Sequence, residues 1–154
     1  MSEQQRFFSH VIKGPNPESC WIWTGAISDD GYGIFWRKHP QTGADAPMRA
    51  HRYALSLIAS AGDVALHALH KCDNTLCVKA TDDSNTHLAY GTRAENMADR
   101  ARRRPVATIT GGAGKKQRAA AARQLRQLTL EEGYQQFRVD ELMKGVYARQ
   151  EALF

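Results

Sequence analysis

The chain has 154 residues, 42% of them hydrophobic, with a net charge of +5 and three cysteines. That length suits one compact domain with an appendage. No apolar run approaches the about 20 residues of a membrane span. The N-terminus lacks a secretory layout, and the odd cysteine count argues against a disulfide framework; a cytoplasmic protein with metal-bound or free thiols is expected.

In chain order, residues 1–19 predict a lead-in helix around Phe7, Phe8, Val11 and Ile12, closed by Gly14, Pro15 and Pro17. Cys20 to Thr24 reads as a strand, Ser28 to Gly31 as a turn, and Tyr32 to Trp36 as the returning partner strand. Lys38 to Ala46 reads as a loop and Met48 to His51 as a third strand, which leads into an apolar helix from Tyr53 to Ser60. Val64 to His70 is a short buried strand. Leu76 to Val78 and His87 to Tyr90 flank a polar insert, Lys79 to Ser84, expected in solvent. Thr92 with Glu95 forms a capping box, so a helix should run from Arg93 to about Arg103 before Pro105. Residues 105–114 read as a linker, and 115–154 as a basic helical arm. The arm has a second capping box at Thr129 to Glu132 and an apolar stripe of Leu142, Met143, Val146 and Tyr147.

Charge is unevenly spread. Between Arg93 and Arg126 ten Lys/Arg face two acids, so this window carries +8 and leaves the remainder at −3. Such a block is the footprint of a polyanion binder or a solvated helix face. It supplies Arg100, Arg102, Arg103, Arg104, Lys115, Lys116, Arg118 and Arg123 as candidate phosphate contacts. On the capped helix, Asn96 shares a face with Asp99, Arg100 and Arg103, which joins a hard oxygen ligand to guanidinium groups. His70, at a strand end, could accept a proton from an attacking water. Together these are the parts for cutting a phosphodiester bond.

Six blocks occur in order: Cys20-Trp21-Ile22-Trp23-Thr24-Gly25; Gly31-Tyr32-Gly33-Ile34-Phe35; Arg49-Ala50-His51-Arg52; His70-Lys71-Cys72-Asp73-Asn74 with Cys77; Asn85-Thr86-His87-Leu88; and Gly91-Thr92-Arg93-Ala94-Glu95-Asn96. Across residues 20–104 this pattern resembles the HNH endonucleases of the ββα-metal superfamily, in a branch common among phages. The resemblance implies an α+β nuclease domain in which a hairpin packs on a helix with a divalent metal between them. It makes His70 the general base and Asn96 the ligand of a catalytic Mg²⁺ or Mn²⁺. It further implies double-stranded DNA as the partner, in a bacterial or phage-infected cell, and cleavage of both strands at a symmetric site would favour a homodimer. Many superfamily members carry an acidic ligand just before the catalytic histidine; here that residue is Leu69. A zinc-braced DNA-binding module without cleavage is therefore the alternative expectation.

Cys20, Cys72, Cys77 and His87 could form one closed structural Zn²⁺ site, or else three buried thiols beside a histidine bonded to a carbonyl. His87 could instead occupy the middle position of the HNH triplet, which would leave Asn85 a spectator. The remaining candidates read as structural. His51 is a strand-end hydrogen-bonder or a phosphate contact, and His67 points opposite to His70. Trp21 and Trp23 read as core, and Asp29 and Asp30 as turn residues.

Overall fold

The N-terminus folds around Phe7. Ser2 caps helix α1 (Glu3–Phe8) with a reciprocal capping box to Gln5. Phe7, fully buried, then stacks on Trp23 at 5.0 Å and meets Phe35 and Tyr53 at 5.1 and 4.7 Å. The chain continues through β1 (Val11–Lys13), β2 (Trp21–Trp23), β3 (Ile34–Lys38), β4 (Asp45–Arg49), α2 (Ala50–Ser56), β5 (His67–His70), β6 (Leu88–Gly91), α3 (Arg93–Arg103), α4 (Gly111–Glu132) and α5 (Gln136–Val139), ending in a π-helical turn at Asp140–Lys144. This computed structural model describes residues 1–59, 66–103 and 111–144, without the side chains of 100, 102, 103, 111–113 and 144.

Within those residues the architecture is mixed α+β, with helices around three antiparallel strand pairs: β1 with β2, β3 with β4, and β5 with β6. The turn expected at Ser28–Gly31 forms, with Gly31 at φ +87°. It closes a bridge between Ile27 and Gly33 and does not pair Cys20–Thr24 with Tyr32–Trp36 as expected. The reason is that both edges of β2 are taken. Val11–Lys13 pairs along one edge, so the lead-in helix stops at Phe8. On the other, Ile22 bridges Cys77, Trp23 N–H donates to Leu76 O at 2.9 Å, and Val78 N–H donates to Trp21 O at 2.9 Å. Ile34–Lys38 therefore returns on Asp45–Arg49, which moves the expected third strand upstream and shortens the 38–46 loop to a turn. The following helix starts earlier than expected, at Ala50.

The described part of the C-terminal segment, residues 111–144, gives Ala122, Leu125, Val139 and Met143 to the hydrophobic core. Residues 111–114, expected in a linker, form the first turn of α4; 104–110 lie outside the described residues. Ala119, Ala122, Leu125 and Thr129 recur at helical spacing and are buried, and α4 packs on β2. A Cβ at Gly31 would sit 2.9 Å from the Arg118 carbonyl oxygen, so only glycine admits α4 this close to the turn. Thr129 does not cap a helix: its hydroxyl donates to Leu125 O at 2.7 Å inside α4, which ends at Gly133 with φ +78°. Of the expected apolar stripe, Met143 is buried and Leu142 packs on the core; Val146 and Tyr147 lie outside the described residues.

Candidate metal centre and histidine cluster

The pairing of β2 with the 76–78 segment brings Cys20 to Cys77. Cys72 follows β5, and the chain reverses through Asp73 at φ +61°, with Asn74 Oδ1 accepting from Leu76 N–H at 3.0 Å. His87 is held from both sides, its N–H donating to Lys79 O at 3.0 Å and its carbonyl accepting from Lys71 N–H at 2.8 Å. The four ligand atoms of Cys20, Cys72, Cys77 and His87 then lie within 4.8 Å of one another. His87 Nδ1 is 3.5 Å from Cys20 Sγ and 3.4 Å from Cys77 Sγ. A tetrahedron with Zn–S about 2.3 Å and Zn–N about 2.0–2.1 Å sets such S···N edges near 3.5 Å. The set is buried or half-buried, and no disulfide joins the cysteines. These residues could hold a zinc ion.

Electrostatics favours a cation there. Hydrogen bonds from the Cys72 and Cys77 thiols, aided by Asn74 and the Lys79 charge, outweigh burial and lower the Cys20 thiol to about 4. Burial first, then the neighbouring Cys20 and Cys72, pushes the Cys77 thiol well above its ordinary range. One thiolate forms readily, and a second and third beside it need a metal to neutralise them. Lys79 was expected in a solvent loop. It is instead buried, its ammonium donating to Pro17 O and to Ser19 O, the latter at 3.1 Å, so it fixes the chain entering Cys20. The exposed part of the insert is Asp82 to Ser84.

His70 ends β5 and is 7% exposed. Its Nε2 lies 3.0 Å from Cys77 O. A carbonyl only accepts, so Nε2 carries a proton. The ring faces His51, with centroids 4.6 Å apart, and Tyr32 at 6.0 Å. Strand alternation puts Leu69 on the other face of β5, toward α3: a Cβ at Gly91 would meet Leu69 Cδ1 and Glu95 Oε2 at 2.3 and 2.9 Å. Helix α3 has the expected limits, with Glu95 N–H donating to Thr92 Oγ1 at 3.1 Å, and Asn96 lies half-buried in its first turn.

The basic residues divide. Lys115 pairs with Asp29 at 3.1 Å, and Arg118 Nε donates to Asp30 O at 2.8 Å, while Lys116 and Arg123 are exposed. The Arg100, Arg102 and Arg103 side chains and all of Arg104 lie outside the described structure. Asp30 is a turn residue as expected, held by Arg49 through two bonds of 2.7 and 2.8 Å. Sequence reasoning undervalued His51. The available signal was its place on the helix stripe with Ala54 and Leu55, three and four residues on, all of them buried.

Over 80 residues the chain is 35% identical to Protein 2.8 of Escherichia phage T7. The match covers 52% of this chain and 48% of that protein, so the chain spans about half the length of the curated relative it matches. No family model matches the chain. No solved structure matches it.

Proposed function

We propose that this protein is a metal-dependent HNH endonuclease that hydrolyses phosphodiester bonds of double-stranded DNA. The observation that carries the reading is one of order: His70 ends the first strand of a hairpin, and Asn96 lies in the first turn of the helix that follows the second. The hairpin loop carries three of the four thiolate and imidazole ligands. In this reading His70, donating through Nε2 to Cys77, takes a proton from the attacking water. Asn96 offers a hard oxygen donor where a Mg²⁺ or Mn²⁺ would sit. When bound, that ion supplies charge stabilisation at the phosphoryl and leaving oxygens. Leu69 gives no ligand, and the Glu95 carboxylate lies on its face of the strand, not on that of His70. Lys116 and Arg123, with the Arg100 to Arg104 run, hold the DNA backbone, and the zinc set braces the hairpin.

The test is cleavage of supercoiled plasmid by zinc-loaded protein with Mg²⁺, Mn²⁺ or EDTA. Metal-dependent nicking is expected, and His70→Ala should lower it by about 10²–10⁴-fold while DNA binding survives. Salt-sensitive DNA binding without nicking under any divalent ion would overturn the reading. It would favour a second one, a zinc-braced DNA-binding module, for which the apolar Leu69 argues.

A further inference from the structure

His51 is the second residue of α2 and is 8% exposed. Its ring lies 4.6 Å from that of His70 at an interplanar angle of 41°, and 5.4 Å from Tyr32. The ring also hydrogen-bonds the backbone of Ala68, two residues before His70 on the same face of β5. His51 Nδ1 is buried and has no hydrogen-bond partner among the described residues, so the Ala68 bond is made from Nε2–H and leaves Nδ1 as an acceptor. Burial, then the His70, Arg49 and Arg52 charges, holds the His51 pKa well below its ordinary value, so the ring is neutral. An unmet buried acceptor costs free energy. Phenylalanine or leucine would fill the same space without that cost. The imidazole therefore answers a need other than packing, and the two rings it touches are His70 and Tyr32.

We infer that His51 is the positioning residue for His70: anchored to Ala68, it walls one face of the His70 imidazole while the Cys77 carbonyl fixes its edge, and the two together hold the ring in one orientation toward the scissile phosphate. An edge bond alone fixes Nε2 but lets the ring swing about it; a wall on the face removes that freedom. The Tyr32 ring completes the enclosure and is itself covered by the Arg49 guanidinium at 5.1 Å. The part of this inference that concerns cleavage rests on the nuclease reading; the part that concerns the His70 ring does not.

The test compares zinc-loaded wild type with His51→Ala, which removes both the wall and the anchor, and His51→Gln, which keeps a donor at the Nε2 position. Two readouts are taken: the mobility of the His70 ring from imidazole NMR relaxation, and the single-turnover nicking rate beside DNA affinity. In the wild type the His70 ring should be held rigidly. In His51→Ala it should gain mobility, and nicking should fall about 10²-fold, the scale of a misplaced catalytic group, with affinity unchanged. His51→Gln should recover part of both losses, and it decides the matter if the alanine variant fails to load zinc. A His70 ring mobility and nicking rate unchanged in the variants would overturn the inference. Should the wild type not nick while the ring still loosens in the variants, the positioning role stands and the nuclease reading falls.

Discussion

Replacing Cys77 by serine should remove the metal and, with it, the fold of the hairpin. Cys77 is fully buried, its Sγ is 3.4 Å from His87 Nδ1, and its backbone bridges β2 and receives His70. A structural zinc contributes roughly 10–16 kcal/mol in apparent terms at neutral pH, whereas whole domains are stable by about 5–15 kcal/mol. Losing most of the metal's contribution would consume that margin, and a serine hydroxyl cannot replace a thiolate on a soft ion. Elemental analysis should therefore find about one zinc per wild-type chain after mild dialysis against EDTA, and far less in Cys77→Ser. The variant should melt broadly or aggregate, and strong chelation of the wild type should reproduce its behaviour. Affinity should also fall as pH drops. Binding must displace protons from the cysteines, and the Cys77 thiol, held protonated by burial, competes hardest for its own. Wild-type protein that purifies free of metal and melts cooperatively at an unchanged temperature would refute the centre and return these residues to an ordinary core.

Truncation before Gly111 should unfold the protein. Leu125, Val139 and Met143 are each at most 4% exposed, and losing their burial at about 1.5–3 kcal/mol per side chain consumes most of a domain's margin; a truncated chain with a sharp melting transition would show α4 to be dispensable. Asp30→Asn should lower the melting temperature near neutral pH and not in acid. Burial opposes ionisation of Asp30, but the Arg49 and Ser28 hydrogen bonds outweigh it and hold the carboxyl well below its ordinary range. The stabilisation is thus present above about pH 4 and lost as pH falls further, and solvent screening at Arg49, 40% exposed, limits it to about 1 kcal/mol. An equal deficit at pH 2 and pH 7 would contradict that sign. Lys116→Ala with Arg123→Ala should weaken DNA binding and flatten its salt dependence by up to about 0.9 in log–log slope per lost phosphate contact; an unchanged slope would remove α4 from the DNA surface.

What was legible in the sequence was whatever local chemistry decides. The Thr92 cap opens α3, because an N-cap acceptor acts within a few residues. The turn at Ser28–Gly31 was legible for the same reason. The four candidate metal ligands, Cys20, Cys72, Cys77 and His87, were legible as a set because thiols and an imidazole have little other reason to share a buried place. Strand partners were not legible: β2 has two edges, and the alternation of Trp21 to Trp23 says which side chains face inward but not which segment supplies the hydrogen bonds. Nor was the burial of α4. Its stripe of Ala119, Ala122 and Leu125 is interleaved with Lys115, Lys116, Arg118, Arg123 and Arg126, and charge density obscured a narrow apolar seam. Lys79 misled in the same way, since a lysine can be buried when backbone carbonyls receive its ammonium.

The metal centre and the histidine cluster are mechanically one unit. Cys77 contributes its thiol to the ligand set and its carbonyl to His70, so the same residue that would bind zinc fixes the edge of the imidazole. Lys71, between His70 and Cys72, donates its N–H to the carbonyl of His87 at 2.8 Å, so a second ligand is tied to the end of β5. A third reaches outside the hairpin: the Cys20 N–H donates to the Tyr134 hydroxyl at 3.2 Å, just past α4. Loosening any one of these three ligands would move either the strand that carries His70 or the segment that presents Cys77 to it. A closed four-ligand ion offers no open position for chemistry, yet it would set the geometry on which chemistry at His70 depends. That division explains why the chain can place its candidate base on a strand of only four residues. The short hairpin would gain from a bound metal the rigidity that its two-stranded ladder alone would lack.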